Sequence, residues 1–250
     1  MRIIPLSEGS FTIDHTKEFV PFNVDIDDLQ KRSTGSLLVE IQPFAVITKK
    51  DVIIIDCGLG YSNNTDVLQI HQNLIANDID PLAVTKVLLS HLHKDHAGGI
   101  SKYDAVLKRN FLSFPNAVYY VGSNEIKTAL DSESPSYHPD KINILQRAEQ
   151  VVLLDEFGSI DDYIHYETTS GHSVNHMVFW IKEDDHTLFY GGDDAPQLQQ
   201  MKSRFIAKYD FDGKKCMELR KKWWEVGQRE KWTFLFYHDI KHPVFSFPQE

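Results

Sequence analysis

Three histidines and an aspartate lie within six residues of this sequence, in the decapeptide Ser-His-Leu-His-Lys-Asp-His-Ala-Gly-Gly that occupies positions 90–99. A lone histidine on a loop is usually a solvated side chain. With 12 histidines in 250 residues, however, the pattern His-x-His-x-Asp-His should arise by chance at roughly 10⁻⁵ per position. Imidazoles and carboxylates at this spacing are typical metal ligands. We therefore expect His91, His93, Asp95 and His96 to bind metal.

The element that must position these side chains is a strand. Residues Thr85–Leu89 are rich in aliphatic and β-branched side chains, follow Asp80-Pro81, and end where the histidines begin, which predicts a buried strand. Two ligands spaced i and i+2 at the end of a strand point to one side. A tight turn then lets the next aspartate and histidine face the same cavity, so one loop can supply two adjacent metal ions.

The decapeptide resembles the metal loop of the metallo-β-lactamase fold superfamily, and within it is most similar to the N-acyl-homoserine lactone lactonases. The resemblance implies an α/β fold, a four-layer αββα sandwich, which we expect to form a single domain over residues 1–250. It extends to later motifs. Gly171-His172-Ser173-Val174-Asn175-His176 is similar to the superfamily's Gly-His-Ser/Thr-Pro-Gly-His motif, and Phe-Tyr-His-Asp at 236–239 is similar to the lactonase context of the last ligand.

The resemblance implies a complete set of seven ligands for two ions. One site would contain His91, His93 and His172, and the other Asp95, His96 and His238. Asp193 would bridge the two ions, although Asp194 is the alternative because both follow the same predicted strand. His176 is expected to be structural. Asp56, in Asp-Cys-Gly after another predicted strand, would hydrogen-bond the metal loop or simply cap a turn.

The donor set implies two divalent ions, with zinc favoured, although iron, manganese or cobalt would accept the same ligands. A hydroxide bridging the ions would attack the carbonyl of a small ester or lactone, an N-acyl-homoserine lactone being one candidate, and Asp95 would pass a proton to the leaving alcohol. The tyrosine that lactonases carry three residues after the bridging aspartate is replaced by Pro196 or Gln197. An unspecified hydrolase therefore stays open beside a lactonase.

Other functions use a similar metal loop. These are a glyoxalase II-like thioesterase, a persulfide dioxygenase and a nucleic-acid phosphodiesterase, and a non-catalytic metal-binding scaffold is the alternative of a different class. The chain carries 36 acidic and 26 basic residues, a net charge of −10, which argues against nucleic acid or an anionic membrane as a partner. Its basic run at 220–222 is interpreted as a solvated helix face. We expect a small-molecule substrate.

Two cysteines distant in sequence, an N-terminus that turns polar early and the lack of a long apolar run predict a soluble, cytoplasmic protein. Two segments are candidates for lining a substrate pocket, the aromatic-rich stretch 19–24 and the loop 132–139.

Hydrophobic patterning predicts the remaining elements that position the site. The main ones are a strand over 37–48 paired with a strand over 52–55, a helix ending at Asn77 with N-cap candidates at 63–65, a short helix opened by Gly98-Gly99, and a helix over 214–231. Met217 and Trp224 of the last helix should face inward, together with Leu219 and Trp223.

Overall fold

The computed structural model describes residues 1–248, in which strands outnumber helices. The strands are β1 (Arg2–Pro5), β2 (Gly9–Ile13), β3 (Val20–Pro21), β4 (Leu37–Ile41), β5 (Phe44–Ile47), β6 (Val52–Ile55), β7 (Lys86–Leu88), β8 (Ser101–Asp104), β9 (Arg109–Leu112), β10 (Val118–Gly122), β11 (Val151–Leu154), β12 (Phe157–Ile160), β13 (Ile164–Thr168), β14 (Met177–Glu183), β15 (His186–Tyr190), β16 (Thr233–Leu235) and β17 (Val244–Ser246). The helices are α1 (Gln69–Ala76), α2 (Lys94–Ala97), α3 (Ser123–Asp131), α4 (Pro139–Ile142), α5 (Leu198–Met201) and α6 (Gly213–Glu230).

Two six-stranded sheets form the centre of the structure. The first has the order β1-β5-β6-β7-β10-β11, in which β6, β7, β10 and β11 are parallel and β1 and β5 are antiparallel. The second has the order β12-β13-β14-β15-β16-β17 and is antiparallel except for the parallel pair β15 and β16. A small sheet, β3-β2-β4, and the hairpin β8-β9 complete the strands.

Three hydrophobic cores separate four layers. One core packs α1, α3 and α4 on the outer face of the first sheet, and a second fills the space between the sheets. A third packs α5 and α6 on the outer face of the second sheet. Strand β6 shows why the layers stack, because Ile53 and Ile55 enter the core between the sheets while Ile54 enters the helix-covered core. The predicted αββα sandwich is confirmed.

The strand predicted over 37–48 is wrong in one respect, since it is divided into β4 and β5, which belong to different sheets. Pro43 lies between them. Proline cannot donate a ladder hydrogen bond and biases the preceding residue, so the chain changes direction there. The antiparallel pairing of β5 with β6 is as predicted. Strand β12, at the edge of the second sheet, was not predicted.

Two helix boundaries also differ from prediction. Helix α1 begins at Gln69, and the Asn63 side chain caps a preceding turn by accepting from the Thr65 and Val67 amides. Gly98 and Gly99 do not open a helix. They follow the short helix α2 and lead into β8. Both glycines lie tightly against the backbone of the loop after β6.

The inward face of helix α6 is partly as predicted, because Trp223 lies in the third core and Leu219 and Trp224 pack against that core. Its buried residues are Gly213, Cys216, Arg220, Trp223 and Gly227, whereas Met217, Leu219 and Trp224 are half-buried. The prediction of a solvated face at 220–222 is wrong for Arg220, which is 1% exposed and donates to the carbonyls of Asp194 and Phe205. Among residues 1–248, no helix combines the length and apolarity needed to cross a bilayer.

Candidate metal centre

The site lies at the ends of strands from both sheets. The loop after β7 provides His91 and His93, and helix α2 provides Asp95 and His96. The second sheet contributes the others, since His172 follows β13, Asp193 follows β15 and His238 follows β16. All seven side chains that the sequence pointed to lie in this one region, although nearly 150 residues separate the first from the last.

The donor atoms fall into three overlapping groups, in each of which all ligand atoms lie within 4.8 Å of one another. The groups are His91 with His93 and His172, His91 with His96 and Asp193, and Asp95 with His96 and His238. This arrangement is two three-residue clusters joined through Asp193 and His91, as expected for two adjacent ions.

Distances between donor atoms match the size of a zinc tetrahedron. His93 Nδ1 lies 2.9 Å from His91 Nε2 and 3.1 Å from His172 Nε2. His238 Nε2 lies 3.1 Å from Asp193 Oδ1 and 3.6 Å from Asp95 Oδ2. Two ligands about 2.1 Å from a zinc ion at the tetrahedral angle would lie about 3.4 Å apart. The residues present therefore fit a metal ion in each cluster.

Hydrogen bonds on the far side of four imidazoles fix which nitrogen faces the site. Nδ1 of His91 lies 3.0 Å from the Ser90 hydroxyl, and Nδ1 of His238 lies 2.7 Å from the carbonyl of Glu40. Nδ1 of His96 lies 2.8 Å from Asp56, and Nδ1 of His172 lies 2.9 Å from Asp210. With Nδ1 donating in each case, the network assigns the Nε2 lone pair to the site, as metal binding requires.

Buried atoms without hydrogen-bond partners point to the same place. His96 Nε2 and Asp193 Oδ1 are both buried, lie 3.1 Å apart, and have no hydrogen-bond partner among the described residues. A buried polar atom left unpaired costs about 1–3 kcal/mol. A cation between the lone pairs of these two atoms would compensate for that cost.

The charges of the site depend on one another. Burial and the neighbouring histidines hold the pKa of His91 and of His93 well below the usual histidine value. Burial would also lower the pKa of His96, but three carboxylates, led by Asp193, outweigh it and raise that pKa. Burial would raise the pKa of Asp193, but His238 and other histidines hold it well below the usual range. The region therefore favours neutral imidazoles at His91 and His93 and positive charge beside Asp193.

Asp193 and Asp194 face opposite directions. Asp193 Oδ2 lies 3.3 Å from His172 Nε2, and the carboxylate lines the cavity. Asp194 is fully buried, accepts a 2.6 Å hydrogen bond from the His172 amide and lies 3.3 Å from His176 Nδ1. Burial opposes ionisation, but His176 lowers the pKa of Asp194 to about 2. Asp194 thus supports the turn, and Asp193 is the carboxylate that reaches both clusters.

His176 contacts the framework of the site. Its Nε2 accepts a 3.1 Å hydrogen bond from the amide of Asp193, and it belongs to none of the three candidate ligand groups. Gly192 has a φ of +48°, and a Cβ there would lie 2.6 Å from that same Nε2. Glycine is therefore required beside His176, which locks the Asp193 turn.

The glycines after the metal loop allow two backbones to touch. A Cβ on Gly98 would lie 2.2 Å from the Leu59 carbonyl oxygen, and one on Gly99 would lie 2.1 Å from that of Cys57. Both glycines therefore lie directly against the loop after β6. From that loop Asp56 reaches both Ser90 and His96, so its contact with the metal loop is observed.

Sequence reasoning missed several residues that hold the site. Glu125 of α3 is 1% exposed and accepts a 2.9 Å hydrogen bond from the Leu92 amide, between two candidate ligands. Asp210 contacts His172 from a loop 38 residues away. The one local signal is that Asp210 stands between aromatic residues, Tyr209 and Phe211, where a carboxylate is unexpected.

A cavity of about 850 Å³ opens above the cluster. His93, Asp95, His172, Asp193 and His238 form its polar floor. Its walls are largely apolar and come from both predicted pocket-lining segments and from elsewhere, including Phe19, Leu38, Tyr137, Val174, Phe205 and Phe211. The predicted lining role of the 19–24 and 132–139 segments is confirmed for Phe19, Ser134, Ser136 and Tyr137. The size is that of a small-molecule site.

A family model and one curated relative match part of this chain. The family model described as the metallo-beta-lactamase superfamily matches residues 39–191. The lactamase-like protein notP of Aspergillus sp. (strain MF297-2) is 25% identical over 177 residues, which are 69% of this chain and 46% of that protein. The chain thus spans about half the length of this curated relative.

Solved structures share the fold. A probable metal-dependent hydrolase from Staphylococcus aureus is 19% identical, with a TM-score of 0.77 over 98% of this chain and 91% of that one. AidC, described as a dizinc quorum-quenching lactonase, is 17% identical, with a TM-score of 0.71 over 99% and 94%. A quorum-quenching N-acyl homoserine lactone lactonase is 21% identical, with a TM-score of 0.65 over 96% and 91%.

Proposed function

The chain belongs to the metallo-beta-lactamase superfamily, and on this basis we propose that it acts as a single-domain hydrolase with two divalent metal ions, zinc by preference. The observation that carries the proposal is the convergence of seven donors on one region, five of them at the floor of the cavity, with four imidazoles turned by outer hydrogen bonds so that Nε2 faces inward. His91, His93 and His172 would hold one ion, Asp95, His96 and His238 the other, and Asp193 would contact both.

Two such ions, when bound, supply a hydroxide nucleophile at neutral pH and Lewis acidity toward a carbonyl. The chain's own residues determine where that chemistry occurs. Asp193 lies between the two clusters and keeps them adjacent. Asp95 lines the cavity beside His238 and His96, so its carboxylate would accept the proton of the attacking hydroxide and pass it to the leaving alkoxide.

The cavity supports an ester or lactone of a small, largely apolar molecule as the substrate class. Its aromatic and aliphatic walls favour apolar groups, and its polar atoms concentrate at the floor, where a carbonyl would bind. Structures with this fold include enzymes named as N-acyl homoserine lactone lactonases, so lactones are the first substrates to test.

The metal content tests the first half of the proposal. The purified chain, reconstituted with excess zinc and desalted, should carry about two ions by elemental analysis. His238→Ala should lose about half of its metal under mild chelation and most of its activity, because one cluster loses a donor. His242→Ala is the matched control, since this neighbouring histidine is exposed. A wild-type chain that retains no zinc would contradict the metal sites.

A substrate panel tests the second half. The zinc-loaded chain should hydrolyse lactones or carboxylic esters faster than thioesters and phosphodiesters. Faster turnover of thioesters would instead favour a glyoxalase II-like activity. Two bound ions without turnover of any of the four classes would contradict the hydrolase proposal and favour a metal-binding scaffold.

A further inference from the structure

The loop between α5 and α6 clamps the turn that carries His172. The Phe211 amide donates to the His172 carbonyl at 3.0 Å, and the Asp212 amide donates to the Gly171 carbonyl at 2.8 Å. Next to these two backbone contacts, the Asp210 carboxylate lies 2.9 Å from His172 Nδ1. The loop is thus built against one particular candidate ligand.

Asp210 is placed where a carboxylate is costly. Its side chain is 1% exposed, and Oδ2 is buried with no hydrogen-bond partner among the described residues. Among residues 1–248, the one ion-pair partner of Asp210 is His172. By contrast, Asp212 caps helix α6 by accepting from the Lys215 amide. The position of Asp212 is therefore explained by its role as a helix cap. The burial of the Asp210 carboxylate is explained by its contact with His172.

Each cluster of candidate ligands has one carboxylate behind one of its histidines. Asp56 stands behind His96 in the cluster with Asp95 and His238, and Asp210 stands behind His172 in the cluster with His91 and His93. A carboxylate behind an imidazole fixes its tautomer and orientation and increases its basicity as a ligand. Asp56 also hydrogen-bonds Ser90 of the metal loop, whereas within residues 1–248 the side-chain hydrogen bond of Asp210 goes to His172.

We propose that Asp210 is a positioning residue for one metal ion, which holds His172 with Nδ1 protonated and Nε2 directed at His93 and Asp193. This inference rests on the proposed function, because it assigns His172 to a metal. Asp210 therefore affects the metal affinity of the cluster of His91, His93 and His172 and leaves the metal affinity of the other cluster unchanged.

The test measures metal affinity by chelator competition in the zinc-loaded full chain, for Asp210→Ala, Asp210→Asn and Asp210→Glu. Loss of such a carboxylate typically weakens metal binding 10- to 100-fold. We expect Asp210→Ala to show this loss for one of two ions. Asn still accepts from Nδ1 but lacks the charge, so Asp210→Asn should lose less, and Asp210→Glu should recover part of the affinity. Asp212→Asn should match the wild type, since asparagine also caps helices.

Cobalt substitution supplies a readout that does not depend on turnover. The visible spectrum of the cobalt-loaded chain should change for one ion only in Asp210→Ala, while thermal melts in chelator show that the chain still folds. Two ions held at wild-type affinity in a folded Asp210→Ala chain would overturn the proposal. Equal weakening of both ions would also overturn it, because a general structural effect would then explain the loss.

The two proposals fail in different ways. A wild-type chain that binds two ions, weakens selectively on loss of Asp210 and hydrolyses nothing would remove the hydrolase proposal and keep the positioning role. Normal hydrolysis, with metal affinity unchanged in Asp210→Ala, would keep the hydrolase proposal and remove the positioning role. If Asp210→Ala does not fold, the graded series from Asp to Glu and Asn decides in the same way.

Discussion

Asp56 supports the strongest prediction about stability, because one buried carboxylate accepts four hydrogen bonds. The Ser90 amide donates to Oδ1 at 2.8 Å. The Ser90 hydroxyl, His96 Nδ1 and the Tyr190 hydroxyl all approach Oδ2, at 2.7, 2.8 and 2.5 Å. Asp56 is fully buried and has a φ of +54°. We predict that Asp56→Asn destabilises the chain strongly.

The size of the effect follows from the donors. Asparagine tolerates a positive φ, so the backbone is preserved. Its amide has only one acceptor oxygen, however, and in either orientation the NH₂ group faces at least one N–H or O–H that donates to Asp56. One buried donor left unpaired costs about 1–3 kcal/mol, and breaking a buried charge pair costs about 3–5 kcal/mol. We therefore expect a loss of about 3 kcal/mol, which corresponds to roughly 6–12 °C in Tm for a chain of this size.

Urea denaturation in the presence of a chelator measures this loss without a contribution from bound metal. Asp78→Asn is the matched control, because Asp78 has a φ of +61° but an exposed side chain. The free energy of unfolding of the control should stay within about 0.5 kcal/mol of wild type. If Asp56→Asn also stays within that range, the hydrogen-bond network does not stabilise the fold and the reasoning is refuted.

Three further predictions concern buried groups around the site. Burial raises the pKa of Glu125 from 4.5 to about 7, so the stability contributed by the protonated carboxyl is complete below about pH 4.5 and is lost as the pH rises through 7. The free energy of unfolding of Glu125→Gln, measured in chelator, should therefore gain up to about 3 kcal/mol on that of wild type between pH 5 and 8. The exposed control Glu133→Gln should show no such gain. Gly60→Ala should cost at least about 3 kcal/mol, because its Cβ would lie 2.1 Å from the Gly98 carbonyl oxygen at a φ of +72°. Gly35→Ala, at a φ of +80° in open space, should cost only about 1–2 kcal/mol, and equal losses at the two glycines would contradict the clash. Arg220→Met should cost about 2–5 kcal/mol in urea denaturation, because it leaves the buried carbonyl of Asp194 and the part-buried carbonyl of Phe205 without their donors. A loss below about 0.5 kcal/mol would show that those hydrogen bonds contribute little.

Local patterns predicted much of the fold correctly. Apolar strands such as β6 and β7 are short, β-branched and bounded by turn residues, so their existence is visible in the sequence. Errors occurred where a local signal was overridden from elsewhere. The division at Pro43 depends on which sheet each strand joins, and the path at Gly98 depends on a backbone 40 residues earlier.

The stripe of α6 illustrates the same limit. Helical periodicity alone favoured large apolar residues for the inner face, but the structure buries Arg220, because the backbone carbonyls of Asp194 and Phe205 accept its hydrogen bonds. A buried arginine is stable only with such partners. The sequence of the helix does not predict them, because these carbonyls come from other segments of the chain.

The sequence by itself determined the candidate ligands, since residue type and spacing in one decapeptide specify donor chemistry, and the motif resemblance extended this to His172, Asp193 and His238. Only the tertiary structure decided what surrounds them. It turned Asp193 toward the clusters and Asp194 into the framework, and it brought Asp210 to His172 and Glu125 to Leu92. The physical reason is that ligand identity is a property of a side chain, whereas orientation and burial depend on hydrogen bonds and packing between segments distant in sequence.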